Sequence, residues 1–163
     1  MKKKKAIFLD RDGVVNQEIG DYICKLEDFT IVPGLCESLK KLSDKGYLLI
    51  VITNQGGLAK KLYSEETLNA MHQFFADELK TYDASISEFY YCQHHPQYNG
   101  NCICRKPDSG MLEKAIARFT IDPLQSYMIG DKQRDVDAAE KVGVKGILIE
   151  SNEPIADVLH LIA

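Results

Sequence analysis

Short apolar runs alternate along this chain with segments of helical period, and each run stops at a turn or an acidic residue. Residues 6–9 form such a run, ending abruptly in Asp10. Residues 48–52 are continuously apolar and rich in β-branching, as expected of a strand covered on both faces, and end at Thr53-Asn54. Further strands are expected at 88–91, at 126–129 before Gly130-Asp131, and at 146–149. Between them lie helical patterns. Leu35, Leu39 and Leu42 follow the Pro33-Gly34 turn, and Gly46 closes that helix. Ser64 is suited to cap a helix whose face is Leu68, Met71, Phe75 and Leu79, with Glu65 and Glu66 in its first turn. Pro107-Asp108 is expected to open a helix with Leu112, Ala115, Ile116 and Phe119 inward. Val136, Ala139 and Val142 are expected to face the core from another helix, ended by Gly143, and 155–162 to close the chain with a short one. Strand–helix alternation predicts an α/β fold, a doubly wound parallel sheet. Ligands in such folds sit beyond the carboxyl ends of the strands.

The 163 residues suit a single domain spanning 1–163, long enough to bury about 68–70% of the unfolded surface. A net charge of −4 gives no general attraction to nucleic acid or to anionic membranes. The basic run 2–5 reads as a solvated start to the first strand. No apolar stretch approaches the roughly 20 residues of a membrane span. No secretory apolar region follows the lysines, because Asp10, Arg11 and Asp12 interrupt it. A cytoplasmic monomer acting on a small molecule is the expectation.

Asp10 and Asp12 follow the first strand one residue apart, with Gly13 behind them. Residues two apart on an extended chain point the same way, so the two carboxylates should repel and call for a cation. Asp131 ends another strand, and Asp135 follows within a helical turn. Hard oxygen ligands of this kind suit Mg²⁺. Asp10-Arg11-Asp12-Gly13, Thr53-Asn54, Lys106 and the run from Gly130 to Asp135 resemble, in order, the four motifs of haloacid dehalogenase-type phosphatases. The resemblance covers essentially the whole chain and implies that family's Rossmann-like fold, without a large cap domain. It further implies Asp10 as nucleophile and Asp12 as general acid and base, with Mg²⁺ held by Asp10, the Asp12 backbone carbonyl and Asp131. Thr53, Asn54 and Lys106 are then donors to the phosphoryl oxygens, Asp135 a support for the metal or for Lys106, and Lys132 a substrate-phosphate contact.

Three of the five cysteines fall close together. Cys92, His94, Cys102 and Cys104 make a Cys₃His set that suits structural zinc, with reduced, unligated thiols as the alternative; His95 reads as solvent-facing or as a support. Cys24 and Cys36 read as small buried hydrophobes. The stretch from Tyr91 to Gln97, then Cys102-Ile103-Cys104-Arg105-Lys106-Pro107, Thr53-Asn54-Gln55 and Asp131-Lys132, resembles D-glycero-D-manno-heptose 1,7-bisphosphate phosphatases. That likeness implies a zinc-pinned loop delivering Arg105 to substrate, with Gln55 and Asn54 also in contact with it. It implies removal of the C7 phosphate in the synthesis of nucleotide-activated heptose. Histidinol-phosphate phosphatases share the zinc loop and are the alternative. Two departures touch the substrate region: residues 56–61 replace a Ser-Gly-Ile-Ala-Arg-Gly run, and the loop between His94 and Cys102 is short.

Overall fold

A computed structural model describes residues 2–163. Its centre is a five-stranded, wholly parallel sheet formed by β1 (Lys5–Leu9), β2 (Tyr47–Asn54), β3 (Glu88–Cys92), β4 (Tyr127–Gly130) and β5 (Lys145–Leu148), in the order β3-β2-β1-β4-β5. The apolar runs explain why the central strands sit inside. Along β1, Ile7 and Leu9 enter the core on one face while Ala6 and Phe8 enter the core on the other. Leu49 and Val51 of β2 join the first face, Ile50 and Ile52 the second. All eight side chains are essentially inaccessible to solvent. At roughly 1.5–3 kcal/mol for each large apolar side chain removed from water, these two strands anchor the sheet.

Helices α1 (Leu35–Asp44) and α2 (Glu65–Lys80) cover the first face. The Ser64 side chain caps α2 by accepting from the Thr67 amide, as the sequence predicts. Helices α4 (Gly110–Phe119) and α5 (Gln133–Glu140) cover the second face, and α3 (Pro96–Asn99) is a single turn in the cysteine loop. A 3₁₀ segment, Ile155–Leu161, replaces the closing α-helix and seats Ile155 and Val158 on the first face.

Three expectations need correcting. Helix α4 starts at Gly110 rather than at Pro107, because the Gly110 amide donates to the Ile103 carbonyl and the Asp108 amide to that of Arg105. Pro107 and Asp108 therefore belong to the cysteine loop. On α5 Ala138 and Ala139 are fully buried and Val142, just past its end, packs on the core, whereas Val136 is only half-buried. Cys24 is also only half-buried, its thiol turned to the Tyr22 carbonyl, whereas Cys36 is buried as expected. Lys5 lays its ammonium over the Tyr47 ring. Among the described residues, no helix is long and apolar enough to cross a membrane.

The strand order reverses direction at β1, which pairs with β2 on one side and β4 on the other. Such a topological switch point leaves a crevice at the carboxyl ends of the two strands. Asp10 follows β1 there and Asp131 follows β4, with the Asp10 amide donating to the Ile129 carbonyl at 3.0 Å.

Candidate active site and cysteine cluster

A cleft of about 320 Å³ opens over these strand ends, with Asp10, Asp12, Asn54, Arg105, Asp131 and Lys132 in its wall. Asp10 Oδ1 accepts from the Arg11 amide at 2.8 Å and from Lys106 Nζ at 2.9 Å, which fixes the direction of the carboxylate. Burial pushes the Asp10 carboxyl above its ordinary pKa; Lys106 opposes this, and Asp135 and Asp12 add to it. Burial likewise raises Asp131, whose Oδ2 accepts from Ser151 Oγ at 2.5 Å.

Lys106 is sealed, with 2% of its surface exposed. Its ammonium meets Asp10 Oδ1, the Ile52 carbonyl at 2.8 Å and Asp135 Oδ1 at 2.7 Å. Two of its hydrogen bonds go to Asp10 and to Ile52, and Asp135 is its ion-pair partner. The ammonium that the sequence predicts as a phosphoryl donor thus also grips Asp10. Burial would lower the lysine pKa, but Asp10 and Asp135 more than offset it and hold the group charged. Asn54 clamps the same segment from the other side: its Oδ1 accepts from the Lys106 amide at 2.9 Å and its Nδ2 donates to the Lys106 carbonyl at 3.1 Å.

Asp12 departs from the expected carboxylate pair. Its side chain is neutralised by Arg11, 1% exposed, whose Nη2 lies 2.7 Å from Asp12 Oδ1. Burial alone would raise the Asp12 carboxyl, yet Arg11 and hydrogen bonds from Arg11, Asn16 and Gln55 hold it below the usual range. Acidic groups do gather, but they are Asp10, Asp131 and Asp135, whose nearest carboxylate oxygens lie within 4.8 Å of one another. Asp131 Oδ1 is buried there without a hydrogen-bond partner among the described residues. A buried, unpaired carboxylate oxygen beside a second carboxylate fits a hard cation. Gly13, at φ +90°, permits this approach: a Cβ at that position would stand 2.3 Å from Asp131 Oδ2.

The remaining predicted residues divide. Thr53 is fully buried, and its Oγ1 accepts from Gln55 Nε2 at 3.0 Å. Gln55, in the cleft wall, also donates to Asp12 Oδ2 at 3.0 Å. Arg105 lies in the cleft wall with Nη1 on the His94 carbonyl at 3.2 Å, and Lys132 is exposed above Ser151 and Asp131. Sequence reasoning gives no role to Arg11, Ser151 or the cleft residue Arg134, whereas Glu18 and Asp21, also in the cleft wall, fall in the segment 17–22 that it marks as a further candidate for substrate contact. A charged residue between two functional aspartates was the one available signal for Arg11.

A loop of seven residues, 95–101, brings Cys92 and His94 back to Cys102 and Cys104, and their sulfurs and ring nitrogen lie within 4.8 Å of one another. The contacts run from 3.0 Å between the sulfurs of Cys104 and Cys92 to 3.6 Å between those of Cys92 and Cys102, with His94 Nδ1 at 3.2 Å from Cys104. Edges of a tetrahedron with zinc–sulfur bonds of about 2.3 Å measure about 3.8 Å, so the four groups already approach that figure. His95 stays outside the set; its amide donates to Asn99 and its ring accepts from the Gln97 amide, capping α3.

The family model for HAD-hydrolase-like proteins matches residues 103–160. The D-glycero-beta-D-manno-heptose-1,7-bisphosphate 7-phosphatase of Haemophilus ducreyi is 42% identical over 158 residues, covering 93% of this chain and 86% of its own. The chain belongs to the D-glycero-D-manno-heptose-1,7-bisphosphate 7-phosphatase family of the haloacid dehalogenase superfamily. A second member, the alpha-anomer enzyme of Photorhabdus laumondii, is 37% identical over 95% of this chain and 87% of that one. The fold agrees: a solved D,D-heptose 1,7-bisphosphate phosphatase from B. bronchiseptica, complexed with magnesium and phosphate, superposes with a TM-score of 0.83 at 33% identity, over 88% of this chain and 79% of that one. Membership in this family accords with a cleft built from strand-end aspartates and a cysteine-bearing loop beside it.

Proposed function

We propose that this chain is a phosphomonoesterase that removes the C7 phosphate of D-glycero-D-manno-heptose 1,7-bisphosphate in the synthesis of nucleotide-activated heptose. The observation that carries the chemistry is Asp10, buried at the base of the cleft with Oδ1 held by two donors. A carboxylate so aimed attacks phosphorus and forms an aspartyl-phosphate. The Lys106 ammonium orients Asp10 and opposes the effect of burial on its charge, and Asn54 holds Lys106 in place. Asp12, shifted toward protonation by the negative charge of the bound phosphate, gives its proton to the departing sugar oxygen, then takes one from the water that cleaves the aspartyl-phosphate.

Asp10 and Asp131, with the Asp12 carbonyl, would hold Mg²⁺, and the orphaned Asp131 Oδ1 supports that reading. Bound there, the ion supplies charge neutralisation between carboxylate and phosphate. Asp135, paired with Lys106, acts behind this group. Cys92, His94, Cys102 and Cys104 would hold zinc in a structural role, pinning the loop that carries Arg105. Arg105 and Lys132 are the cations in the cleft suited to the substrate's phosphates, and Arg offers the fork that matches a phosphate.

The names of the relatives favour the sugar bisphosphate over histidinol phosphate, and the β anomer is the first to test because the 42%-identical relative is named for it. Phosphate release with Mg²⁺ should be fastest from heptose bisphosphate when both anomers, histidinol phosphate and unrelated phosphoesters are compared. A higher kcat/KM for histidinol phosphate would refute the assignment.

A further inference from the structure

The catalytic role given to Asp12 depends on more groups than the sequence marks. Asp12 Oδ1 accepts from Arg11 through Nη2 at 2.7 Å and Nε at 3.2 Å, and from Asn16 Nδ2 at 2.9 Å. That oxygen is saturated. Asp12 Oδ2 accepts from Gln55 Nε2 and keeps a lone pair for a proton in transit. The two oxygens are therefore inequivalent, and the one free to exchange a proton is held by a single amide.

That amide is committed at both ends. Gln55 is 3% exposed; Nε2 also donates to Thr53 Oγ1, and Oε1 accepts from the Tyr63 hydroxyl at 2.5 Å. Tyr63 comes from the connection between β2 and α2 and is 8% exposed. Its ring packs so closely on the backbone of Gly57 that a Cβ there would fall 2.3 Å from it. Burial raises the phenol pKa, so the hydroxyl stays protonated and able to donate.

An amide side chain can turn end for end at almost no change in shape. Turned, Gln55 would set Oε1 against Asp12 Oδ2, acceptor against acceptor. The Tyr63 hydroxyl makes the donating orientation the stable one. Without it, Oε1 is a buried carbonyl oxygen lacking its partner, and the amide gains by rotating away from Asp12.

We propose that Tyr63 and Gln55 are positioning residues that hold Asp12 Oδ2 at the angle from which it hands its proton to the departing oxygen. The inference rests on Asp12 being the general acid. The step balances simply: the P–O bond to the substrate breaks as the Asp10–P bond forms, and the proton moves from Asp12 to the released oxygen.

The test is a series of aryl phosphates of graded leaving-group acidity, from 4-nitrophenyl to phenyl phosphate, assayed as kcat/KM with Mg²⁺. Nitrophenolate departs without a proton, whereas poorer leaving groups need one. Tyr63→Phe should lose about three- to tenfold on phenyl phosphate, the scale of one neutral hydrogen bond, and progressively less as the leaving group improves. Gln55→Leu should steepen the dependence further, and carries the test alone if Tyr63→Phe does not fold. A loss equal across the series, or no loss at all, overturns the proposal, because a merely structural role lowers every substrate alike. Asp12→Asn separates the two levels. If Asp12→Asn steepens the series while Tyr63→Phe leaves it flat, only this inference fails; if Asp12→Asn is itself flat, the general-acid reading fails with it.

Discussion

His72 gives the fold a pH dependence that can be isolated in one substitution. It lies on the buried side of α2, 5% exposed, stacked on Phe89 with ring centroids 4.5 Å apart. Its Nε2 has no hydrogen-bond partner among the described residues. Burial drives its pKa down, the Arg11 guanidinium adds to this and Asp12 opposes it, leaving about 3 against an ordinary 6.5. The folded protein thus keeps His72 neutral while the unfolded chain protonates it. A depressed histidine pKa contributes its full stability above 6.5 and loses it as the pH falls toward 3. Between pH 7 and pH 5 the unfolded chain gains about 1.9 kcal/mol from this group, of which about 0.7 appears by pH 6. Phenylalanine is close in size, keeps the stack on Phe89 and cannot titrate. Urea unfolding of the wild type and of His72→Phe at pH 7, 6 and 5 should therefore give stability curves that diverge by about 2 kcal/mol at the acid end. Carboxylates and metal ligands titrate in both proteins and cancel in the difference. Parallel curves would refute the reasoning, since they would mean that His72 takes up its proton in the folded state.

Asp10→Asn should abolish phosphate release with the fold retained, because an amide cannot serve as an anionic nucleophile; near-wild-type turnover by an undeamidated variant, checked by mass spectrometry, would remove Asp10 from that role. Protein made with zinc present should hold about one zinc per chain by elemental analysis, and Cys104→Ala, which removes the sulfur touching Cys92, Cys102 and His94, should lose it and melt lower. Arg105→Ala should weaken the sugar bisphosphate reaction by about 1.5–3 kcal/mol in kcat/KM, roughly ten- to a hundredfold, and 4-nitrophenyl phosphate much less. Equal losses on both substrates would place discrimination elsewhere in the cleft.

The elements legible in the sequence were those whose signal is local. A run of five apolar residues marks β2, Ser64 marks the start of α2, and strand-end aspartates mark the site. Cysteine and histidine spacing was enough to group four residues that the loop does bring together. What stayed hidden depends on contacts between distant segments. Nothing near Tyr63 in sequence shows that its hydroxyl meets Gln55, and nothing near Ser151 shows that it reaches Asp131. The start of α4 was misplaced because Pro107 is a good first helical residue, whereas the Ile103 carbonyl captures the Gly110 amide and holds Pro107 in the loop. Thr53, Gln55 and Lys106 are legible as candidate site residues, but their hydrogen bonds to protein acceptors cannot be read from residue type.

The enclosure of Lys106 makes that side chain a natural probe of opening. Most lysines of the chain project into water, whereas this ammonium is surrounded by Asp10, Asp135 and the end of β2, and its backbone is clamped by Asn54. An acylating reagent needs an uncharged amine that it can touch, and Lys106 offers neither while the strand ends stay together. Its slow acquisition of label, followed peptide by peptide, would time the breathing of the catalytic floor without any substrate present.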